Sequence, residues 1–346
     1  MLPAPGERQM PNALIVTMTE PNDIMSANPV VATTNVEGDI QSSRPAKQRG
    51  FAKMKTLSDR AMAWLFVGPT IVLLFAFNIF PLLWTIYLSF TNFRANRPGA
   101  DLINVGLENY QKLLDDDSVW EYMNATAHFL GWSITLQILL GFGLALLINK
   151  KFKHHSTLTT LILLPMMLSP AVVGTFWTYF FQPQYGIFNY IVNFFVDNGN
   201  FSMLGDVKLA PWAIILVDTW MWTPYVMLLL LAGLRSIPDY LYEAAEIDRA
   251  SEWTKFWRIT LPMIMPFLIL AVLFRSIENF KMFDLVNQLT SGGPGSVTEL
   301  ASINLKREAF EKWRTGYSSA FAIILFVSIY GLSLMAVRFL DRMKQR

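Results

Sequence analysis

The stretch PWAIILVDTWMWTPYVMLLLLAGL, residues 211–234, decides what kind of protein this is. Only Asp218 in it carries a charge, and about 20 mostly apolar residues in helical form are enough to cross the hydrocarbon core of a bilayer. A buried helix of a soluble domain could imitate one such run. Five more share the pattern, near 64–88, 123–148, 158–181, 263–286 and 318–338, among them AWLFVGPTIVLLFAFNIFPLLW and SSAFAIILFVSIYGLSLMAV. Six runs in a chain of 346 residues point to an all-α polytopic membrane protein with six transmembrane helices.

Composition agrees and narrows the function classes. Hydrophobic residues make up 53% of the chain and charged residues 16%, and a net charge of +2 is too small to suggest a nucleic-acid partner. The absence of cysteine excludes disulfides, thiolate catalysis and cysteine-ligated metals. His128, His154 and His155 stand in no metal-ligand spacing. His128 reads as a packing or interfacial group, and the other two, beside Lys150, Lys151 and Lys153, as part of a solvated loop.

Lys and Arg set the orientation. Segments 1–63, 149–157, 235–262 and 338–346 hold 18 of them, against 8 in segments 89–122, 182–209 and 287–317. The bias places both termini and the 235–262 loop in the cytoplasm. Residues 1–55, rich in Pro, Asn, Ser and Thr, read as a disordered cytoplasmic tail, and 56–346 as the six-helix domain. The patch ALIVTM is too short for a span or a secretory core, so the first span acts as an uncleaved anchor. A start of translation at Met54 is an alternative reading of the same tail.

The cytoplasmic loop holds the most structured pattern in the chain, YLYEAAEIDRASEWTKFWRITLP at residues 240–262. Ser236 can cap a helix that has Pro238 in its first turn. Leu241, Ala244, Ala245 and Ile247 line one side of it, and Tyr240, Glu243 and Glu246 another. After Asp248 a second helical piece carries Trp253, Phe256, Trp257 and Ile259, and Pro262 leads into the next span. Two short amphipathic helices could lie on lipid headgroups, or dock in a groove of a soluble partner with one placed carboxylate.

Spacing separates the two. Glu243-Ala244-Ala245, three residues, Arg249, nine residues, then Ile259 and Leu261-Pro262 resembles the signature loop of inner-membrane permeases of binding-protein-dependent ABC importers. One position departs: Arg249 stands where that family usually has Gly, so either the bend moves to Asp248 or a positive φ is borne by Arg249. VGLENYQKLLDDDSVW, SPAVVGTFWTYFFQPQYGIFN, WTPYVMLLLLAGLRSIP and FDLVNQLTSGGPG extend the resemblance to the maltose-type first permease subunit over residues 60–340. The resemblance implies the type I ABC importer permease fold in the bacterial inner membrane. It also implies a second permease subunit in a heterodimer, a dimer of ATPase subunits carrying ATP and magnesium, and an extracytoplasmic solute-binding protein. In that reading Glu243, Ala244, Ala245, Asp248, Arg249, Ile259, Leu261 and Pro262 couple the spans to the ATPase. The chain has no GxxxxGK[ST] loop, so it binds no cofactor and hydrolyses no ATP itself.

Charges inside the spans complete the set. Arg275, Glu278, Lys281 and Asp284 alternate in sign at intervals of three, which reads either as a self-neutralising ladder or as part of a translocation path. Asp218, beside Pro224, needs a partner, expected on the fifth span. Candidate solute contacts are Trp220, Trp222, Glu278, Asn279, Phe283 and Gln288, since Trp offers a broad ring and an N–H to a sugar face. LTSGGPGSVTE reads as a tight external turn. The expected function is carrying a sugar, polyol or related carbohydrate. A self-sufficient secondary transporter or channel is the alternative, and a membrane enzyme lacks any nucleophile–base constellation.

Overall fold

The computed structural model describes residues 59–97, 99, 102–150, 153–195 and 202–344. The expected tail at 1–55 and the start at Met54 lie outside them. The described residues form helices, with one isolated bridge between Thr91 and Asn104. Helices α1 (Asp59–Leu74) and α2 (Phe80–Ser89) are joined by a π turn at Phe75–Ile79. After the short α3 (Glu108–Asp115) comes α4 (Asp117–Asn149), then α5 (His155–Leu163), α6 (Pro170–Phe180) and α7 (Ile187–Phe195). The central α8 (Ala210–Arg235) leads to α9 (Asp239–Ile247) and α10 (Glu252–Lys255). A second π turn, Phe256–Thr260, feeds α11 (Leu261–Phe280), followed by α12 (Asp284–Leu289), α13 (Ala301–Lys306) and α14 (Thr315–Lys344).

Five helical stretches are long and apolar enough to cross a bilayer: Met62–Ser89, Asp117–Asn149, Ala210–Arg235, Glu252–Phe280 and Thr315–Arg342. The run at 158–181 departs from the expectation of one continuous helix. Pro165 ends α5 and opens a 3-10 turn, and Ser169 is extended (φ −67°, ψ 138°) because Pro170 follows it. Prolines are absorbed differently in the first and fourth of the five stretches. Each of these two π turns precedes a proline, Pro81 or Pro262, and the residue after it donates its N–H to the carbonyl five residues back: Phe80 to Phe75, Leu261 to Phe256. The wider turn gives the ring room where an α-helical carbonyl would meet it.

The fifth predicted span also ends early. Helix α11 stops at Phe280, Lys281 and Phe283 leave helical geometry, and α12 begins at Asp284. Tertiary packing overrides local propensity here. Leu285, Val286 and Leu289 turn into an apolar cluster with Phe129, Val173 and Met221, here the outer core, beside α6, where a Cβ on Gly174 would lie 2.7 Å from the Gln288 Cβ. The glycine lets the two backbones approach.

Helix α8 is apolar nearly all round and buried along most of its length, as a helix at the centre of a bundle must be. Helices α4 and α11 flank it. A Cβ on Gly141 of α4 would come within 2.9 Å of Val226, and one on Gly233 of α8 within 2.8 Å of Phe267. Such small residues let membrane helices cross closely. By contrast the α1–α2 stretch is exposed over most of its side chains, an apolar surface that suits lipid or another membrane subunit.

Candidate functional site

Besides an ionic cluster of the buried Glu299 and Glu308 with Arg307, Lys312 and Arg314, two polar regions bear on function. The first is a cluster inside the bundle. Asp218 on α8 and Arg275 on α11 are 0% and 1% exposed, with Arg275 Nη2 3.1 Å from Asp218 Oδ1. Gln137 on α4 serves both: its Oε1 accepts from Arg275 Nε at 2.8 Å, and its Nε2 donates to Asp218 Oδ2 at 2.8 Å. Asn279, one turn beyond Arg275, donates from Nδ2 to Asp218 Oδ2 at 3.0 Å and accepts from Arg275 Nη2. The guanidinium lies over the Trp222 ring, 4.6 Å from its centroid. Three helices are thus tied at one point by groups whose separate burial would cost several kcal/mol each (~2.5–3.5 at mid-bilayer on insertion scales).

Asp218 finds its partner on the fifth predicted span, as expected, and only one rung of the ladder expected along α11 remains. Arg275 pairs across helices with Asp218 rather than with Glu278. Glu278 instead meets Lys281 at 2.9 Å, both about half exposed, and Asp284 lies in the first turn of α12, where a carboxylate favours the helix N-terminus. Of the candidate solute contacts, the fold gathers Trp222 and Asn279 into the cluster. Trp220 faces Trp177 of α6 instead, with ring centroids 5.5 Å apart. Phe283 packs at the edge of the outer core, and the Gln288 carbonyl accepts from Thr178 of α6 at 3.1 Å. Gln137 was missed by the sequence reading. A single amide in the apolar run SITLQILLGFG was the available signal.

The second region is the loop from α8 to α11. Ser236 belongs to the end of α8, its Oγ donating to the Gly233 carbonyl at 2.7 Å, rather than to the start of α9 as expected. Pro238 occupies the position before α9 with extended geometry (φ −66°, ψ 134°). On α9, Leu241 and Tyr242 turn inward against a second apolar cluster built on Ile148, Leu230 and Ile264, the inner core, while Tyr240, Glu243, Ala244, Glu246 and Ile247 are exposed. Ile247 is 83% exposed, a large apolar group left open at the tip of a polar loop. Ala245 is half-buried, and Ile259 and Leu261 pack on the inner core.

Arg249 adopts the positive φ: +52°, with Asp248 right-handed (φ −74°) before it. Its N–H donates to the Glu246 carbonyl at 3.0 Å and that of Ala250 to the Ala245 carbonyl at 2.9 Å. These two bonds make a Schellman ending, whose left-handed position glycine normally fills. An L-residue there costs about 1–2 kcal/mol. Ser251 then caps α10, its Oγ accepting from the Thr254 N–H at 3.2 Å. The Lys255 ammonium reaches back to Glu246 at 3.2 Å and to Glu252 at 2.9 Å, joining α9 to α10. The loop is therefore a folded hairpin of two short helices.

Comparison with known proteins follows from this geometry. Residues 137–345 match the family model described as the binding-protein-dependent transport system inner membrane component. The trehalose/maltose transport system permease protein MalF of Thermococcus litoralis is 32% identical over 80% of this chain and 92% of its own length. The sulfoquinovosyl glycerol transport system permease protein SmoG of Agrobacterium fabrum is 31% identical over 78% and 87%. Among solved structures, a bacterial alginate ABC transporter in complex with an alginate pentasaccharide-bound periplasmic protein shares the fold. Its TM-score is 0.70 at 20% identity, over 80% of this chain and 92% of that one. A five-stretch helical bundle with a hairpin between α8 and α11 and a match of this extent lead to one statement: the chain belongs to the family of inner membrane components of binding-protein-dependent transport systems.

Proposed function

We propose that the chain forms, with a second permease subunit, the membrane path of an ABC importer for a sugar, polyol or related carbohydrate. An extracytoplasmic binding protein delivers the solute, and a separate pair of ATPase subunits, holding ATP and magnesium, supplies the work. Both termini and the α9–α10 hairpin face the cytoplasm, as the distribution of Lys and Arg favours.

The observation that carries the reading is the hairpin itself. Ile247 and Ala244 lie open beside the exposed Glu243, on a helix whose Leu241 and Tyr242 pack inward and whose Glu246 is tied to Lys255. That is the surface a helix offers to a groove. Glu243 is the carboxylate to be held there, and Ala244 and Ala245 permit close approach. The carbohydrate class rests on the named relatives and on Trp222 beside the polar cluster. Glu278, exposed one turn from that cluster, is free to meet solute, whereas Asn279 meets it only if the cluster opens.

Uptake of candidate sugars into proteoliposomes tests the proposal. The permeases are reconstituted with or without the ATPase subunits, with ATP enclosed on their side. Transport should require both the ATPase and ATP. Equal uptake without the ATPase would replace the reading with a self-driven transporter or channel.

A further inference from the structure

Arg249 stands in the one place of the hairpin where a side chain is a liability. The Schellman ending is complete in its hydrogen bonds, and glycine would make both of them without crowding a Cβ. Favourable charge at the helix C-terminus does not explain the choice. A cation in the last turn of α9, at a right-handed position, would serve the dipole equally and without strain. The side chain is exposed, and among the described residues its guanidinium has no hydrogen-bond or ion-pair partner. Around it the hairpin is acidic: Asp239, Glu243 and Asp248 are exposed, and Glu246 is engaged by Lys255. The Cα of Arg249 is also fixed, with the Schellman bonds on one side and the Ser251 cap two residues on. A strained, preset, unpaired cation beside a bare Ile247 has the character of a recognition group.

We infer that Arg249 is a specificity residue of the docking surface, its guanidinium paired with a carboxylate at the rim of the ATPase groove that receives α9. The inference rests on the docking reading above and adds the chemistry of the partner: cations facing Asp239 and Glu243, and an anion facing Arg249. A guanidinium fork meets a carboxylate in two parallel hydrogen bonds, which an ammonium cannot reproduce.

The test uses the full permease complex purified from native membranes with its ATPase, the latter identified by mass and by its GxxxxGK[ST] loop. The ATPase is stripped and titrated back onto wild type, R249G, R249N, R249K, R249E and Glu243→Lys. R249G and R249N both suit a left-handed backbone and remove the charge, so conformation and charge are read separately. R249G should melt above wild type yet need about tenfold more ATPase for half-occupancy, the ratio that 1.4 kcal/mol gives. R249N should weaken binding similarly, R249K less, and R249E most. The salt dependence of wild-type binding should flatten in R249G. R249G and R249N binding as wild type does, while Glu243→Lys weakens, would overturn this inference and leave the docking reading standing. If Glu243→Lys also binds normally, the docking reading itself falls and the inference with it.

Discussion

Removing one partner of the Asp218–Arg275 pair should damage the fold far more than removing both. In Arg275→Met the Asp218 carboxylate keeps two donors, Gln137 Nε2 at 2.8 Å and Asn279 Nδ2 at 3.0 Å, but loses its only cation. At 0% exposure the carboxylate is out of reach of bulk water. Breaking a buried pair in this way costs about 3–5 kcal/mol. Asp218→Asn leaves the guanidinium equally stranded, its Nη1 already without a partner and its other nitrogens facing Gln137 and Asn279, so a similar loss is expected. The double variant Asp218→Asn/Arg275→Met has no buried charge and retains an amide among amides. Its loss should be only that of a few neutral hydrogen bonds, about 1–3 kcal/mol. The coupling in the cycle is then at least about 3 kcal/mol, large beside the 0.3–0.5 kcal/mol scatter expected of independent sites. The assay is equilibrium unfolding of the purified permease in mixed micelles, read by tryptophan fluorescence, for all four proteins. Additive losses within that scatter would refute the claim that these charges exist in the fold as a pair.

Four further outcomes follow from the same coordinates. Gly141→Val should lower the unfolding midpoint, since its Cβ meets Val226 at 2.9 Å and the Met227 backbone nitrogen at 3.1 Å; overpacking of about 1–3 kcal/mol is the expected scale in thermal melts. Trp222→Leu should cost about 1–2 kcal/mol in the same assay by uncovering the Arg275 guanidinium. Lys255→Met should leave the unfolding midpoint near that of wild type, because its carboxylate partners are 69% and 90% exposed, yet lower ATP-driven uptake by freeing α9 from α10. Glu243→Lys should leave membrane insertion intact, judged by yield in the membrane fraction, and abolish co-purification of the ATPase.

Hydropathy made the bundle legible because spanning helices must be apolar wherever they meet lipid, and that requirement is written residue by residue. It failed where the backbone, not the side chains, sets the structure. The run at 158–181 is apolar enough for a span, and only Pro165 and Ser169-Pro170 inside it report the break. The end of α11 at Phe280 carries no proline or glycine at all. Its cause is the packing of α12 on Gly174, a contact across more than a hundred residues that no local pattern encodes. The charges were legible in part: Glu278 and Lys281 pair at an interval of three, and Asp218 finds its partner on the fifth span as expected, but that partner is Arg275, which the ladder had set beside Glu278. The hairpin was read more fully, because its spacing sits within one short segment. Even there Ser236 was assigned to the wrong helix, since a serine just after one helix and shortly before the next is equally placed to cap either.

The two polar regions are joined by a single mechanical element. From Glu252 through the π turn to Phe280 the chain is continuously helical, 29 residues, or roughly 43 Å at 1.5 Å per residue. Lys255 grips α9 near one end of this rod, and Arg275 and Asn279 grip α8 and α4 near the other. A load that reaches this rod through Glu246 and Lys255 is carried to the buried Asp218–Arg275 cluster along one continuous helix, whose π turn, with its wider hydrogen bonds, is the softest point. The ends differ in kind. The Lys255 contacts are mostly exposed and cheap to break, and the Arg275 contacts are buried and costly. On its inner side α9 is held by Leu241 and Tyr242 against the core, by Tyr242 to Thr260 and by Glu246 to Lys255, whereas Ile247, Glu243 and Arg249 face outward. If an ATPase subunit covers that outward face, as proposed, transport should be lost without it even when every span is correctly folded, and ATP-driven uptake with the ATPase left out is the measurement that checks it.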